Sequence, residues 1–269
     1  MVNIAILGFG TVGSGVAEVL TKNSGLIDGR VNNQVRLKYI MRARDIFEGP
    51  YKDLFVKDFS TIEHDPEVGI VVETIGGVGA ALDYTTRALK AGKSVVTANK
   101  ELVATHGYEL LQLAKEHGAD FILGSDPDAD RVGIMVRTKE DDFVVISGNQ
   151  TGVLLLDYLI GAKRRTGKMP DKPVALKTIV TTEMARKVAE VNGVQMFDTF
   201  TGFKFLAEKK DKLESSGEGK VIFSYEESYG YMLGDYVRDK DAVTASMLLT
   251  EMAAWYASQG LTLADAMES

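Results

Sequence analysis

The 269 residues include no cysteine, three histidines and no apolar run approaching the roughly 20 residues that cross a bilayer. Without cysteine there is no disulfide scaffold, thiolate metal site or thiol nucleophile, and the chain fits a reducing compartment. A basic excess is also missing. The 31 Lys and Arg face 38 Asp and Glu, a net charge of −7, which argues against a nucleic-acid partner needing a large basic face. Met1 to Leu7 runs straight into a strand pattern with no basic, cleavable leader, so a cytoplasmic protein with no membrane partner is expected. What is present is ordinary for a globular chain: 45% hydrophobic and 26% charged residues exclude disorder, and the length suggests two domains, each able to bury a core.

Residues 2–7 form an apolar run that ends at Gly8-Phe9-Gly10-Thr11-Val12-Gly13, followed by a helical pattern through Val16, Val19 and Leu20. A buried strand, a glycine turn and a helix are the context the G-x-G-x-x-G fingerprint requires. Gly8 allows the tight turn, Gly10 lets a pyrophosphate approach the backbone, and Gly13 lets helix and strand pack closely. Thr11 and Val12 complete the loop; the alternative is a merely tight strand-to-helix turn. A second strand, Val35 to Met41, follows a polar excursion over 22–34 and ends at Arg42-Ala43-Arg44. Two guanidinium groups suit a ribose 2′-phosphate, which favours NADP over NAD; the alternative is a pair of solvated arginines, and Asp45 is close by. Strands at 69–73 and 94–97 flank a helix from about Gly79 to Ala91 that stops at Gly92, and a helix at about 108–117 leads to a strand at 120–123. This alternation indicates a parallel sheet with covered faces, with Thr74 and Gly76 at the strand edge where ligands of such sheets gather.

Gly8 to Gly15 (GFGTVGSG), Val71 to Gly77 (VVETIGG) and Ala91 to Ala104 (AGKSVVTANKELVA) resemble the nucleotide-binding domain of homoserine dehydrogenase, over about residues 1–121. The resemblance implies that Thr97, Ala98, Asn99 and Lys100 sit beside the nicotinamide, with Lys100 as the catalytic residue assisting proton transfer. Read without the family, a lysine after a strand is a solvated charge or a helix-start residue.

Past Phe121 the pattern changes. Gly124-Ser125-Asp126-Pro127-Asp128-Ala129-Asp130-Arg131 places three Asp at alternate loop positions, able to aim carboxylates at one hard cation such as Mg2+; an Asx-rich turn is the alternative. DPDADRVG resembles the metal loop of the phosphoglucomutase and phosphomannomutase superfamily. The likeness continues through Gly148 to Gly152, TFTGFKF at 199–205, YEESYG at 225–230 and VRDKDAV at 237–243. It implies that Glu226 and Ser228 contact sugar hydroxyls and that Lys204 lies near the ligand, with Glu227 left open between a contact and a solvated neighbour. Around these motifs the pattern predicts a compact α/β unit. Strands are expected at 175–181, 194–197 and 221–225 and a helix at 183–191. A helix opening at 148 carries Leu154, Leu155, Leu156 and Leu159, and a long helix at 242–257 has Met247, Leu248, Met252 and Trp255 in the core. The charged stretch 208–220 reads as an exposed helix end and loop.

The fold expected is therefore α/β: a Rossmann-like parallel sheet over 1–147, joined to a three-layer phosphohexomutase-like domain over 148–269. The seam falls near 118–121, where one parallel strand could serve both halves. A chimera follows, engineered or arising by gene fusion or misassembly. Neither parent's catalytic site is complete on this reading. The mutase needs a phosphoserine in a Ser-His motif, but none of His64, His106 and His117 follows a serine, and the fourth domain and the dehydrogenase substrate domain are not expected. Binding of NADP or NAD with weak Mg2+ binding, and a nucleotide or a sugar phosphate as small-molecule partner, is the leading expectation. A dehydrogenase-type oxidoreductase, a phosphohexomutase fragment and a ligand-free scaffold are the alternatives.

Overall fold

An unbroken apolar strand is stable only when both its faces are covered, and the first strand, β1 (Val2–Leu7), has residues 3–7 all buried. The structure, a computed structural model, describes residues 1–269 apart from 32, 43–48, 127, 236 and 269, and apart from the side chains of 30 and 31. The chain divides into two compact units, Met1–Gly118 and Ala119–Ser269.

In the first unit β1 is followed by α1 (Thr11–Lys22), α2 (Ser24–Val31), β2 (Val35–Met41), β3 (Phe55–Val56), α3 (Ser60–Glu63), β4 (Val68–Glu73), α4 (Gly79–Lys90), β5 (Ser94–Thr97) and α5 (Lys100–Glu116). The sheet order is β3-β2-β1-β4-β5 and the pairs are parallel. Alternation along β1 assigns its two faces. Ala5 and Leu7 join Phe59, Ile62, Val71 and Ala88, while Ile6 joins Ile40 and Ala17 of α1. The chain winds outward from β1 through β2 to β3, then returns to the other side of β1 as β4. The resulting switch point lies at the carboxyl ends of β1 and β4, where such sheets bind ligands. Gly92 stands just past α4 at φ +72°, a left-handed stop that glycine adopts without strain. Part of the polar excursion over 22–34 is helical, as α2.

The second unit runs β6 (Phe121–Ser125), β7 (Val132–Arg137), β8 (Phe143–Ile146), α6 (Gly148–Arg165), β9 (Pro173–Thr178), α7 (Met184–Val191), β10 (Gln195–Thr199), α8 (Phe203–Ser216), β11 (Lys220–Glu226), β12 (Gly230–Met232), α9 (Ala242–Ser258) and α10 (Leu263–Glu268). Its main sheet has the order β10-β9-β11-β12, with β12 antiparallel to β11. Val174 and Leu176 pack with Leu206 and Leu213 of α8 on one face, and Ala175 packs into the core of α6, α7 and α9 on the other. A register shift between Val221 and Phe223 lets Ile222 and Phe223 both join that larger core. This is the three-layer arrangement expected.

Several details differ from expectation. The strand at 120–123 is not a parallel strand shared by two halves. As β6 it pairs antiparallel with β7 in a separate β6-β7-β8 sheet. Alternate residues Val132, Ile134 and Val136 of β7 enter the core of the second unit, so this sheet packs there rather than with a 1–147 body. The stretch 208–216 continues α8 instead of looping out, because Lys210 and Leu213 turn inward and are almost fully buried. Met247 is 55% exposed, whereas Leu248 and Met252 on the opposite face of α9 are buried and Trp255 is partly so. α6 buries Leu154, Leu155 and Leu156 in succession, so it is covered on more than one side. The short elements β8, β12 and α10 carry no periodicity long enough to predict.

Candidate functional site

The glycines after β1 divide into two kinds. A Cβ built on Gly13 would meet the Gly8 carbonyl oxygen at 2.2 Å and Thr74 Oγ1 at 2.8 Å, and one on Gly8, at φ +94°, would meet the Thr74 carbonyl oxygen at 2.9 Å. Gly8 and Gly13 are therefore required for packing. Among the described residues nothing lies within 4 Å of the Gly10 Cβ position, so a side chain there would project into the space before the helix. Gly10 is also the N-cap of α1, and no side chain caps the helix. Amides at such an end lack intrahelical acceptors and face the positive end of the helix dipole, which suits an anion. Thr11 and Val12, the first two helical residues, are exposed beside this space.

Thr74 acts from beneath. Its Oγ1 donates to Leu7 O at 2.9 Å and Gly8 O at 3.2 Å, fastening the end of β4 to the glycine turn. Glu73, the last residue of β4, is fully buried and was not among the expected site residues. Its Oε1 accepts the Ile75 amide at 2.6 Å and its Oε2 accepts the Thr97 hydroxyl at 2.5 Å. Thr97 Oγ1 accepts the Asn99 amide, and Asn99 Nδ2 donates to Ile75 O at 3.1 Å and Gly77 O at 2.6 Å. Asn99 Oδ1 caps α5 through the Leu102 amide. The structure thus draws Thr74, Thr97 and Asn99 into one network across the ends of β4 and β5, with exposed Gly76 on the loop it holds. Lys100 opens α5, is exposed, and its ammonium makes no hydrogen bond or ion pair among the described residues. Arg42 follows β2, half-buried, its amide on Val56 O. Arg44 lies outside the described residues. An acid ending an otherwise apolar strand was the available signal for Glu73.

In the second unit one ligand oxygen from each of Asp126, Asp128 and Asp130 lies within 4.8 Å of the others, a set of hard donors compatible with Mg2+ or Ca2+. The loop reaches this shape through Ala129, at φ +56°, and through Asp126 Oδ1, which accepts the amides of Asp130 and Arg131 at 3.1 and 3.0 Å. Burial pushes the Asp126 carboxyl up, but hydrogen bonds from the Arg131 and Asp130 amides, with the Arg131 charge, outweigh it and hold the group below the usual range. Asp130 Oδ2 lies 3.0 Å from Lys240 Nζ, so an ammonium competes with a cation for this acid. Burial lowers the Lys240 pKa, and its acidic neighbours more than reverse that, leaving it raised. Lys240 too was missed, since a lysine inside a charged run reads as solvated.

The remaining expected residues surround the carboxyl ends of β9–β11. Glu226 is buried and its Oε1 accepts the Gly202 amide at 2.7 Å, so at least half of this carboxylate shapes the 199–203 turn. Lys204 is exposed in the first turn of α8. Ser228 is half-buried with no partner among the described residues. Glu227, left open from sequence, is a built-in residue: its Oε2 accepts Thr178 Oγ1 at 3.1 Å and Thr181 Oγ1 at 3.2 Å. Gly148 lets the α6 N-terminus dock on this loop, since its Cβ would fall 2.0 Å from Glu227 O.

Two family models match the chain, each over a different stretch. Residues 8–124 match the family described as homoserine dehydrogenase, NAD binding domain, and residues 147–269 match phosphoglucomutase/phosphomannomutase, alpha/beta/alpha domain III. The phosphoglucomutase of Staphylococcus epidermidis is 33% identical over 262 residues, covering 94% of this chain and 45% of that protein, so its alignment extends into the first unit. A crystal structure of S. aureus homoserine dehydrogenase aligns with 26% identity over 63% of this chain and 43% of its own, with a TM-score of 0.41. A protein of Thermus thermophilus described as a phosphomannomutase aligns at 22% identity over 74% of this chain and 44% of its own, with a TM-score of 0.49. The chain spans less than half the length of each of these three. No helix among the described residues is long and apolar enough to cross a membrane. Two stretches of the chain are thus similar to two different families, residues 8–124 to the homoserine dehydrogenase NAD-binding domain and residues 147–269 to phosphoglucomutase/phosphomannomutase domain III.

Proposed function

We propose that the chain binds NADP, or NAD, through its first unit and does not by itself complete the catalytic site of either parent family. The observation that carries this reading is Gly10, a helix start that no side chain caps and no atom crowds among the described residues, framed by two glycines that packing requires. Thr11 and Val12 amides would hold the pyrophosphate, Arg42 and Arg44 the ribose phosphate, and the loops at Thr74–Gly76 and Thr97–Asn99 the nicotinamide half. The bound nicotinamide would accept or deliver a hydride. Lys100, exposed and unpaired at the start of α5, is the group these residues offer for holding a proton at its Nζ. Rate acceleration also needs a substrate held at reacting distance, and the motifs carried here for that purpose belong to the other family.

The test is NADPH titration followed by fluorescence and thermal shift, because a ligand specific to the native state must raise its stability. Saturable binding that disappears in Gly10→Asp supports the reading; a cooperative melt unmoved by saturating NADPH in both proteins sinks it and leaves a ligand-free scaffold. Cofactor oxidation dependent on an added carbonyl substrate would instead establish a working oxidoreductase.

A second reading is carried by the three carboxylates converging at Asp126, Asp128 and Asp130. We infer weak Mg2+ binding there, weakened by the Lys240 ammonium, with Lys204, Glu226 and Ser228 offering contacts to a sugar phosphate. Isothermal titration with Mg2+ should yield a weak signal that Asp128→Asn removes, and an unchanged signal would refute it. The domain division we favour is the seam at 118–121, in a cytoplasmic protein.

A further inference from the structure

Buried carboxylates are normally paired with a cation, because desolvating an unpaired charge is costly. Glu73 departs from that rule. It is fully buried, its two oxygens are taken by the Ile75 amide and the Thr97 hydroxyl, and no Lys, Arg or His pairs with it among the described residues. The surrounding structure is built to keep it, since the Ala98 amide bonds the Glu73 carbonyl and Asn99 ties both loops over it.

Its place in the fold says what a lone anion could serve. In a sheet of this order the pyrophosphate sits at the start of α1 and the adenosine ribose at the end of β2. The other mononucleotide must then lie across the switch point, over the ends of β4 and β5. Glu73 is the last residue of β4 and Thr97 the last of β5. The two redox forms of a nicotinamide differ there by one positive charge, carried by the oxidised ring alone.

We propose that Glu73 makes this site favour the oxidised, cationic nicotinamide over the reduced, neutral one. The inference rests on the nucleotide-binding reading above. A buried charge is little screened by salt, whereas the opposing Lys100 ammonium is exposed and acts through water. Glu73 thus acts on the ring as a fixed charge rather than as a catalytic residue.

The experiment measures dissociation constants for NADP+ and NADPH in the whole chain, for the wild type and Glu73→Gln, by titration calorimetry. Glu73→Gln should weaken NADP+ about tenfold more than NADPH. Equal weakening of both forms, or of neither, would overturn the proposal and leave Glu73 a packing residue. Thr97→Val keeps the charge but removes one hydrogen bond, so it should leave the ratio of the two constants within about twofold of wild type. A ratio that collapses in Thr97→Val would assign the preference to loop geometry and refute the charge, even if Glu73→Gln failed to fold. Wild-type protein that binds neither form would sink the nucleotide-binding reading instead, a distinct outcome.

Discussion

Alanine placed at Gly10, Gly13 and Gly15 in turn should have three different effects. At Gly13 the new methyl would sit 2.2 Å from a backbone oxygen of Gly8, which is itself held by Thr74. Relief requires the α1 N-terminus to move about 1 Å from the sheet, and overpacking against a backbone atom falls at the upper end of the usual range, about 3 kcal/mol. Alanine returns about 1 kcal/mol in helix propensity, so the net loss is about 2 kcal/mol. For a unit of this size that is a fall in melting temperature of roughly 6–10 °C. At Gly15, in the same helix with nothing within 4 Å, only the propensity gain remains, and the melting temperature should rise by roughly 2–5 °C. At Gly10 the backbone is already extended, so the fold should change by less than about 1 kcal/mol. NADPH affinity should nonetheless fall more than about tenfold, because the methyl enters the space the pyrophosphate needs. The assay is calorimetric melting with and without cofactor, with transitions of the two units fitted separately. Gly13→Ala melting with wild type, or Gly10→Ala binding as wild type does, would refute the geometry.

Two further predictions concern the second unit. The ammonium groups of Lys210 and Lys220 pull Asp235 down to about 2, from an ordinary value of 3.8. A depressed folded-state value contributes stability that is present above about pH 4 and lost as pH falls through about 2. Because Asp235 is half-exposed, the contribution is about 1 kcal/mol after allowing for solvent screening. Urea unfolding at pH 6 should separate wild type from Asp235→Asn by that amount and the gap should close by pH 2; a gap of equal size at both would contradict the assignment. Gly152→Ala would put a methyl 2.0 Å from the buried Tyr225 ring, which stacks on Phe223. Destabilisation by about 3 kcal/mol is expected. Loss of near-UV circular dichroism at lower temperature checks it, and a partial return in Gly152→Ala with Tyr225→Leu tests the cause.

The glycine turn was legible because its determinants are local. The strand at 2–7, the turn and α1 are contiguous, so the roles of Gly8 and Gly13 follow from spacing and reappear as contacts at 2.9 and 2.2 Å. The three Asp were legible for the same reason. Glu73 was not, since a single acid at a strand end acquires its meaning from Thr97 and Ile75 closing over it, and Thr97 is 24 residues away. Glu226, for which the resemblance implies a sugar contact, also holds Gly202 through its Oε1, a partner likewise 24 residues distant that spacing does not reveal. Met247 shows the limit of periodicity, for α9 is apolar on most sides and composition alone does not say which faces the core.

Two kinds of information therefore met in this chain. Sequence alone determined the alternation of strands and helices, the glycine turn, the carboxylate loop and the two family resemblances, because backbone sterics, side-chain period and motif spacing act over short stretches. Tertiary structure decided where β6 pairs, which acids are spent on backbone amides, and that Glu73 is buried with no cation among the described residues. Those outcomes depend on segments far apart in the chain competing for the same sheet edges, hydrogen-bond donors and low-dielectric space, a competition that only the assembled fold resolves.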